Sequence, residues 1–235
     1  MRLGIMQPYF FPYVGYFDLM NCVDEWVVFD TAQYMRRHWV NRNRILHPSA
    51  GWQYITAPVR KHHRDTAIRD ILVQEGAAWK GVVLRQLDHY KKTARRRFDG
   101  TRQFVEACLD TDEPSLSALN TRILEMVCER LGIACRFSIF SEMDLPLGPV
   151  EGPGDWALRI AEAMGAEEYV NAPGGEGLFD EAAFARAGIR LIIRHLPPFE
   201  YACPGYEFVP NLSIVDALMW NSPEEIKDYL DRHNP

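Results

Sequence analysis

The sequence predicts an α/β fold, a mostly parallel Rossmann-like sheet in a single domain over residues 1–235 with a helical insertion or subdomain at 79–132. Three observations predict it. The first 30 residues read as strand, loop, helix, strand; the same alternation resumes after residue 134; and Gly165 and Gly188 stand where later helices should end. Parallel strands require crossover connections, and a glycine supplies the left-handed residue that closes many helices.

Residues 2–6 (RLGIM) form a short buried strand. A turn at Gln7-Pro8 leads to a helix over 13–23, where Val14, Phe17, Leu19, Met20 and Val23 recur near helical spacing. The run EWVVF at 25–29 is the second strand. The βαβ unit so formed brings its C-terminal loops, 7–12 and 30–43, to one sheet edge, where ligands of such folds bind. Residues 52–59 and 68–73 read as two more strands, joined by the basic connector RKHHR. Helices follow at 79–93, 101–109 and 115–131, the last with Leu116, Leu119, Ile123, Leu124, Val127 and Leu131 along one face. Alternation then returns: strand 134–140, helix 156–164, strand 168–171, a Gly-rich turn, helix 180–187, strand 190–194. The closing helix, 222–233, opens on Ser222-Pro223-Glu224-Glu225, a cap, a first-turn proline and two acids that suit the helix dipole.

Composition narrows the function classes. No apolar run approaches the ~20 residues of a membrane helix and no signal peptide opens the chain, so no membrane insertion and a cytoplasmic location are expected. Five scattered cysteines without a C-x-x-C pair suggest neither a disulfide framework nor a zinc site, and the histidines show no metal-ligand spacing. Net charge is −6 but divides unevenly: residues 1–107 carry 17 Lys+Arg against 10 Asp+Glu, and 108–235 carry 9 against 22. The basic half also holds the aromatic and amide cluster. That pairing points to an anionic ligand: a nucleotide, a nucleotide sugar or an RNA.

Four motifs carry candidate chemistry. In QPYFFPYVGY, Gln7, Tyr9 and Tyr13 sit on a proline-stiffened loop that enters a helix N-terminus, a place for an anion, and Gly15 signals a close approach to the backbone; the alternative is an aromatic packing turn. In DTAQYMRRHWVNRNR, Gln33, Asn41 and Asn43 offer paired donors and acceptors, Arg36 and Arg42 suit phosphate or carboxylate, and Trp39 offers a stacking face. Asp30 or His38 there supplies a general base. In NAPGGEGLFD, Gly174, Gly175 and Gly177 allow a backbone nest for an anion, or simply a turn. In VPNLSIVD, Asn211 or Ser213 caps a helix, and Asp216 either packs or points into the cleft.

QPYFFPYVGYF, VVFDTAQY, WVNRNRI, NAPGG and VPNLSIVD together resemble the signature of the WbqC-like protein family across nearly the whole chain. The resemblance implies an association with O-antigen and other surface polysaccharides and a glycine transferase role, attaching glycine to an amino sugar. It assigns no catalytic residues, so the roles above rest on residue chemistry. The expected activity is amide formation between an amino acid and the amine of a nucleotide-linked amino sugar. ATP with magnesium, or a charged tRNA, would supply the activated acyl group. A non-catalytic nucleotide-sugar or RNA binding module is the rival reading.

Overall fold

The structure, a computed structural model, describes residues 1–234. β1 (Arg2–Met6), α1 (Val14–Asn21) and β2 (Glu25–Val28) make the opening unit, followed by β3 (Arg42–Leu46) and β4 (Trp52–Thr56). Three helices come next, α2 (Ala78–Gln86), α3 (Phe98–Leu109) and α4 (Leu116–Leu131). Then β5 (Arg136–Ile139), α5 (Asp155–Ala163), β6 (Glu168–Asn171), α6 (Glu181–Arg186) and β7 (Arg190–Ile193) alternate, and α7 (Ile214–Trp220) and α8 (Pro223–Arg232) close the described chain. The main sheet has the order β5-β2-β1-β6-β7, parallel at every pairing. Numbered among themselves, its strands run 3-2-1-4-5, so the chain builds outward in one direction and then returns to the centre to build the other way.

Strand alternation splits the core between the two faces. Leu3, Ile5, Val27 and Tyr169 pack under α5 and α6, whereas Trp26, Val28 and Val170 join a larger core with α1, α4, α7 and α8. Both faces of a parallel sheet are covered in this way, which is why its strands read as short apolar runs. Gly4 is required at the centre because a Cβ there would stand 2.6 Å from the Trp26 ring. The helices between β4 and β5 share the larger core with α1 and the hairpin. Ser115, Asp180 and Ser222 cap α4, α6 and α8, and Gly132, Gly165 and Gly188 adopt positive φ of 71°, 65° and 73° after α4, α5 and α6.

Three expectations are corrected. The strand expected at 68–73 is a 3-10 turn, Ile68–Asp70, followed by extended chain making only single bridges to Val59 and Ser115, because its backbone bonds go to loops on both sides. The helix expected at 79–93 breaks after Gln86 into a 3-10 turn, Asp88–Lys91. The loop expected at 30–43 ends in strand β3, antiparallel to β4 in register Arg42↔Thr56 through Leu46↔Trp52. β3 escapes a hydropathy reading because Asn43, not an apolar residue, shares its inward face with Ile45.

All five cysteines are free. Burial pushes the Cys22 thiol up to about 11 and Cys108 to about 12, so neither is a ready nucleophile. Among the described residues no helix is long and apolar enough to cross a membrane.

Candidate functional site

β1 lies between β2 and β6, so the crossovers leave the sheet in opposite directions on its two sides. The crevice outside the C-terminal ends of β1 and β6 is therefore the topological switch point, the place where open α/β sheets bind ligands. A cleft of about 1290 Å³ opens there, and the loops after β1, β2 and β6 all line it.

Its first wall is the loop after β1. Phe10 and Phe11 are fully buried and meet edge to face at 4.9 Å, which turns Tyr9 and Tyr13 toward the cleft. Neighbours fix every turn of this loop. Asn120 of α4 donates to the Pro8 carbonyl (2.9 Å) and the Val40 carbonyl (2.7 Å), and Asn43 donates to the Phe10 carbonyl (3.2 Å). The Phe10 N–H reaches the Trp39 carbonyl at 2.9 Å, and the Ser213 hydroxyl reaches the Phe11 carbonyl at 2.7 Å. Those bonds hold Phe11 at φ +42°, a conformation that costs a bulky residue of order 1–3 kcal/mol. Gly15 is explained by Tyr13 itself: a Cβ at Gly15 would lie 2.4 Å from that ring. Burial pushes the Tyr9 hydroxyl up to about 12 and raises Tyr13, so both remain hydrogen-bond donors at neutral pH.

The second wall comes from the chain after β2. Thr31, Gln33, His38, Trp39, Asn43 and Arg44 line it. His38 packs edge-on against Tyr9 at 5.6 Å. Desolvation, and then the Arg42 charge, lower its pKa below the ordinary value of 6.5, so it is neutral at pH 7. The Arg44 guanidinium lies 5.3 Å from the Trp39 ring and 5.2 Å from Trp52, and donates to the Asn211 carbonyl at 3.3 Å. Thr31 Oγ1, His38 Nδ1 and Arg44 Nε are buried without a protein partner.

The third wall follows β6. Asn171 donates to the Tyr169 hydroxyl (2.5 Å) and accepts from the Ala172 N–H (2.6 Å), starting the 3-10 turn Pro173–Leu178 that presents Gly174 and Gly175. Residues 150–153 and Trp156 close the far side. A Cβ on Gly154 would fall 1.8 Å from the Leu178 carbonyl oxygen, so the two segments touch only because that position is glycine. Gly154→Ala is expected to force them apart at a cost of about 1–3 kcal/mol, measured by urea unfolding, and to weaken ligand binding as well.

Of the residues singled out from sequence, Gln7, Tyr9, Tyr13, Gln33, His38, Trp39, Asn43, Gly174, Gly175 and Asn211 line this cleft. The others lie elsewhere. Asp30 is 2% exposed and turns away, accepting from the Ser141 N–H (3.0 Å), the Ser141 hydroxyl (2.6 Å) and the Ser117 hydroxyl (3.4 Å); it ties β2 to β5 and α4. Asp216 is fully buried and accepts from the Tyr90 hydroxyl, the Tyr201 hydroxyl (2.8 Å) and the Leu46 N–H (2.9 Å), anchoring the hairpin to α7. Burial raises its carboxyl pKa even against those donors. Arg42 lies flat over Tyr54 at 3.9 Å, Asn41 donates to the Ala57 carbonyl, and Arg36 is exposed outside the cleft, as Gly177 also is outside it. Sequence reasoning missed Arg44, Thr31, Asn171 and the 150–156 wall. Arg44 has a signal in hindsight: it follows Asn43 in a run that alternates Arg and Asn, as a strand would. Ser213, rather than Asn211, caps α7, and its N–H also bonds the Arg44 carbonyl at 2.8 Å.

Among the described residues no group of three His, Cys, Asp or Glu side chains stands close enough to hold a metal ion. The chain matches the WbqC-like protein family over residues 7–228. It is 32% identical over 238 residues to the uncharacterized protein Rv1507c of Mycobacterium tuberculosis (strain ATCC 25618 / H37Rv), with 97% of each chain covered. No solved structure matches. The five motifs quoted from the sequence all fall in the matched span, each supplies residues to the cleft walls, and the chain belongs to the WbqC-like protein family.

Proposed function

We propose that this protein is a cytoplasmic transferase that joins an amino acid, glycine first among them, to the amine of a nucleotide-linked amino sugar during surface-polysaccharide precursor synthesis. The observation that supports it is the pairing of aromatic rings with amide, imidazole and guanidinium side chains along one cleft, where Tyr9, Tyr13 and Trp39 stand beside Gln7, Gln33, His38 and Arg44. A polar, partly flat ligand suits that lining. The cleft also exceeds the ~300–1,000 Å³ usual for one small ligand, which suits a two-part substrate.

The chemistry needs an activated acyl group, since a free carboxylate resists amine attack. The donor is an aminoacyl adenylate, made from ATP with magnesium, or an aminoacyl RNA ester. The sugar amine attacks the acyl carbon, the bond to the leaving oxygen breaks, and neutral His38 takes the proton that the nitrogen sheds before returning it to that oxygen. Arg44 and the Gly174-Gly175 turn grip phosphate, while Tyr9 and Trp39 flank a base or sugar. His38 replaces Asp30 as the acceptor because the Asp30 oxygens are already engaged away from the cleft.

Calorimetric titration with nucleotide-linked 4-amino sugars tests the reading, followed by transfer of labelled glycine in the presence of either donor. Binding that weakens at least tenfold in Arg44→Ala, together with label in the sugar nucleotide, is expected. Binding with no transfer from either donor would instead make the chain a nucleotide-sugar binding module, and no binding would overturn both.

A further inference from the structure

We propose that the outward face of the β3–β4 hairpin, continued by residues 36–39, is a binding face for single-stranded RNA that leads up to the cleft. Between Asp30 and Asp65 the chain runs 34 residues without an acid, while carrying Arg36, Arg37, Arg42, Arg44, Arg60, Lys61 and Arg64. In a protein of net charge −6 this is a strong local reversal. The hairpin concentrates it on one side. Ile45 and Ile55 are fully buried beneath, and strand alternation sends Arg42, Arg44, Trp52 and Tyr54 to the opposite face.

There the side chains form a ladder of flat groups. Trp39, Arg44 and Trp52 stand in sequence, with the guanidinium 5.3 Å and 5.2 Å from the two indoles. Trp52 meets Tyr54 edge to face at 4.9 Å, and Arg42 covers the Tyr54 ring at 3.9 Å. Trp52 is 41% exposed and Arg36 and Arg37 are open to solvent. Arginines interleaved with exposed aromatic rings are the chemistry of single-strand binding: bases stack on rings and guanidinium planes, and the same cations track the phosphates. A nucleotide sugar needs one stacking face and one phosphate grip. This face repeats both beyond the cleft, which fits a ligand that repeats base and phosphate. A duplex would offer only its phosphates here, since its bases are already stacked.

The binding face stands independently of the reaction in the cleft. One consequence rests on the transferase reading: Trp39 and Arg44 belong to both surfaces, so an RNA end lying along the ladder arrives where an acyl group would be transferred.

Fluorescence anisotropy of the full chain with a labelled single-stranded 12-mer tests the face. The comparisons are the same sequence as duplex RNA, heparin as competitor, and vesicles with anionic phospholipid. Single-stranded RNA is expected to bind at least tenfold more tightly than duplex, with affinity falling as roughly the second to third power of salt for three or four phosphates. Trp52→Ala, folded as shown by an unchanged melting curve, is expected to weaken it about tenfold, with recovery in Trp52→Phe. Titration of the nucleotide sugar is expected to be unaffected by Trp52→Ala, so failure here and failure of the transferase reading are separable. Equal affinity for duplex and single strand with no loss in Trp52→Ala would overturn the proposal in favour of a general polyanion patch. Vesicle binding that Trp52→Ala abolishes, without RNA selectivity, would overturn it in favour of a membrane surface.

Discussion

Arg194→Ala is expected to destabilise the fold by about 3 kcal/mol, a fall in melting temperature on the order of 10 °C for a chain of this size. Arg194 follows β7 and reaches Asp18 on α1 with both arms, Nε to Oδ2 at 2.7 Å and Nη2 to Oδ1 at 2.9 Å. It also donates to the carbonyl of His233 just beyond α8. Three distant parts of the chain thus meet at one guanidinium. Asp18 is 1% exposed, so deleting the arginine leaves a carboxylate in the core with nothing to offset its lost hydration. A pocket of about 190 Å³ borders the pair and admits some solvent to the vacated space, which puts the cost at the low end of the 3–5 kcal/mol range for broken buried pairs. Thermal and urea unfolding measure it. The double variant Asp18→Leu/Arg194→Met is expected to regain most of the loss, because the penalty comes from the stranded charge and not from the absence of a pair. A single variant within 0.5 kcal/mol of the parent, on the order expected of a surface change, would show that water already screens the pair.

What the sequence revealed and concealed follows from which interactions are local. β1 and β6 are legible to the residue, since each holds a few apolar residues bounded by polar or turn residues, and the caps at Ser115, Asp180 and Ser222 are local chemistry. The convergence of the loops after β1 and β2 follows from parallel topology alone. β3 was not legible: its inward residues include Asn43, whose partner is the Phe10 carbonyl, and no window around position 43 contains that partner. The same blindness misplaced the carboxylates. Asp30 stands at a strand end where a catalytic carboxylate belongs, and only Ser117 and Ser141, 87 and 111 residues later, turn it into a structural tie. Arg42 and Arg44 are chemically identical and two residues apart. Tyr54 covers one, and Asn211 and Trp39 draw the other to the cleft, a distinction made wholly by tertiary contacts.

The first of these arginines, Arg42, enters the sharpest expectation for catalysis through His38. His38→Gln is expected to lower turnover 100- to 10,000-fold while leaving sugar-nucleotide affinity within a few-fold, the range for loss of a general base. In the parent protein, desolvation and the neighbouring Arg42 charge both disfavour imidazolium, so the base stays available below the ordinary histidine value. If His38 is the base of the proposed transferase, the acid limb of kcat/KM is therefore expected below the ordinary histidine value of 6.5. Arg42→Met keeps the cover over Tyr54 but removes the charge, so the His38 pKa rises and the acid limb moves upward while the alkaline plateau holds. Arg42 does not line the cleft, so that shift reads its effect on His38 separately from any contact with substrate. An acid limb that Arg42→Met leaves in place would assign the titration to another group. A plateau that collapses in parallel would mean that Arg42 shapes the loop holding His38, because a guanidinium packed on Tyr54 fixes position as well as field.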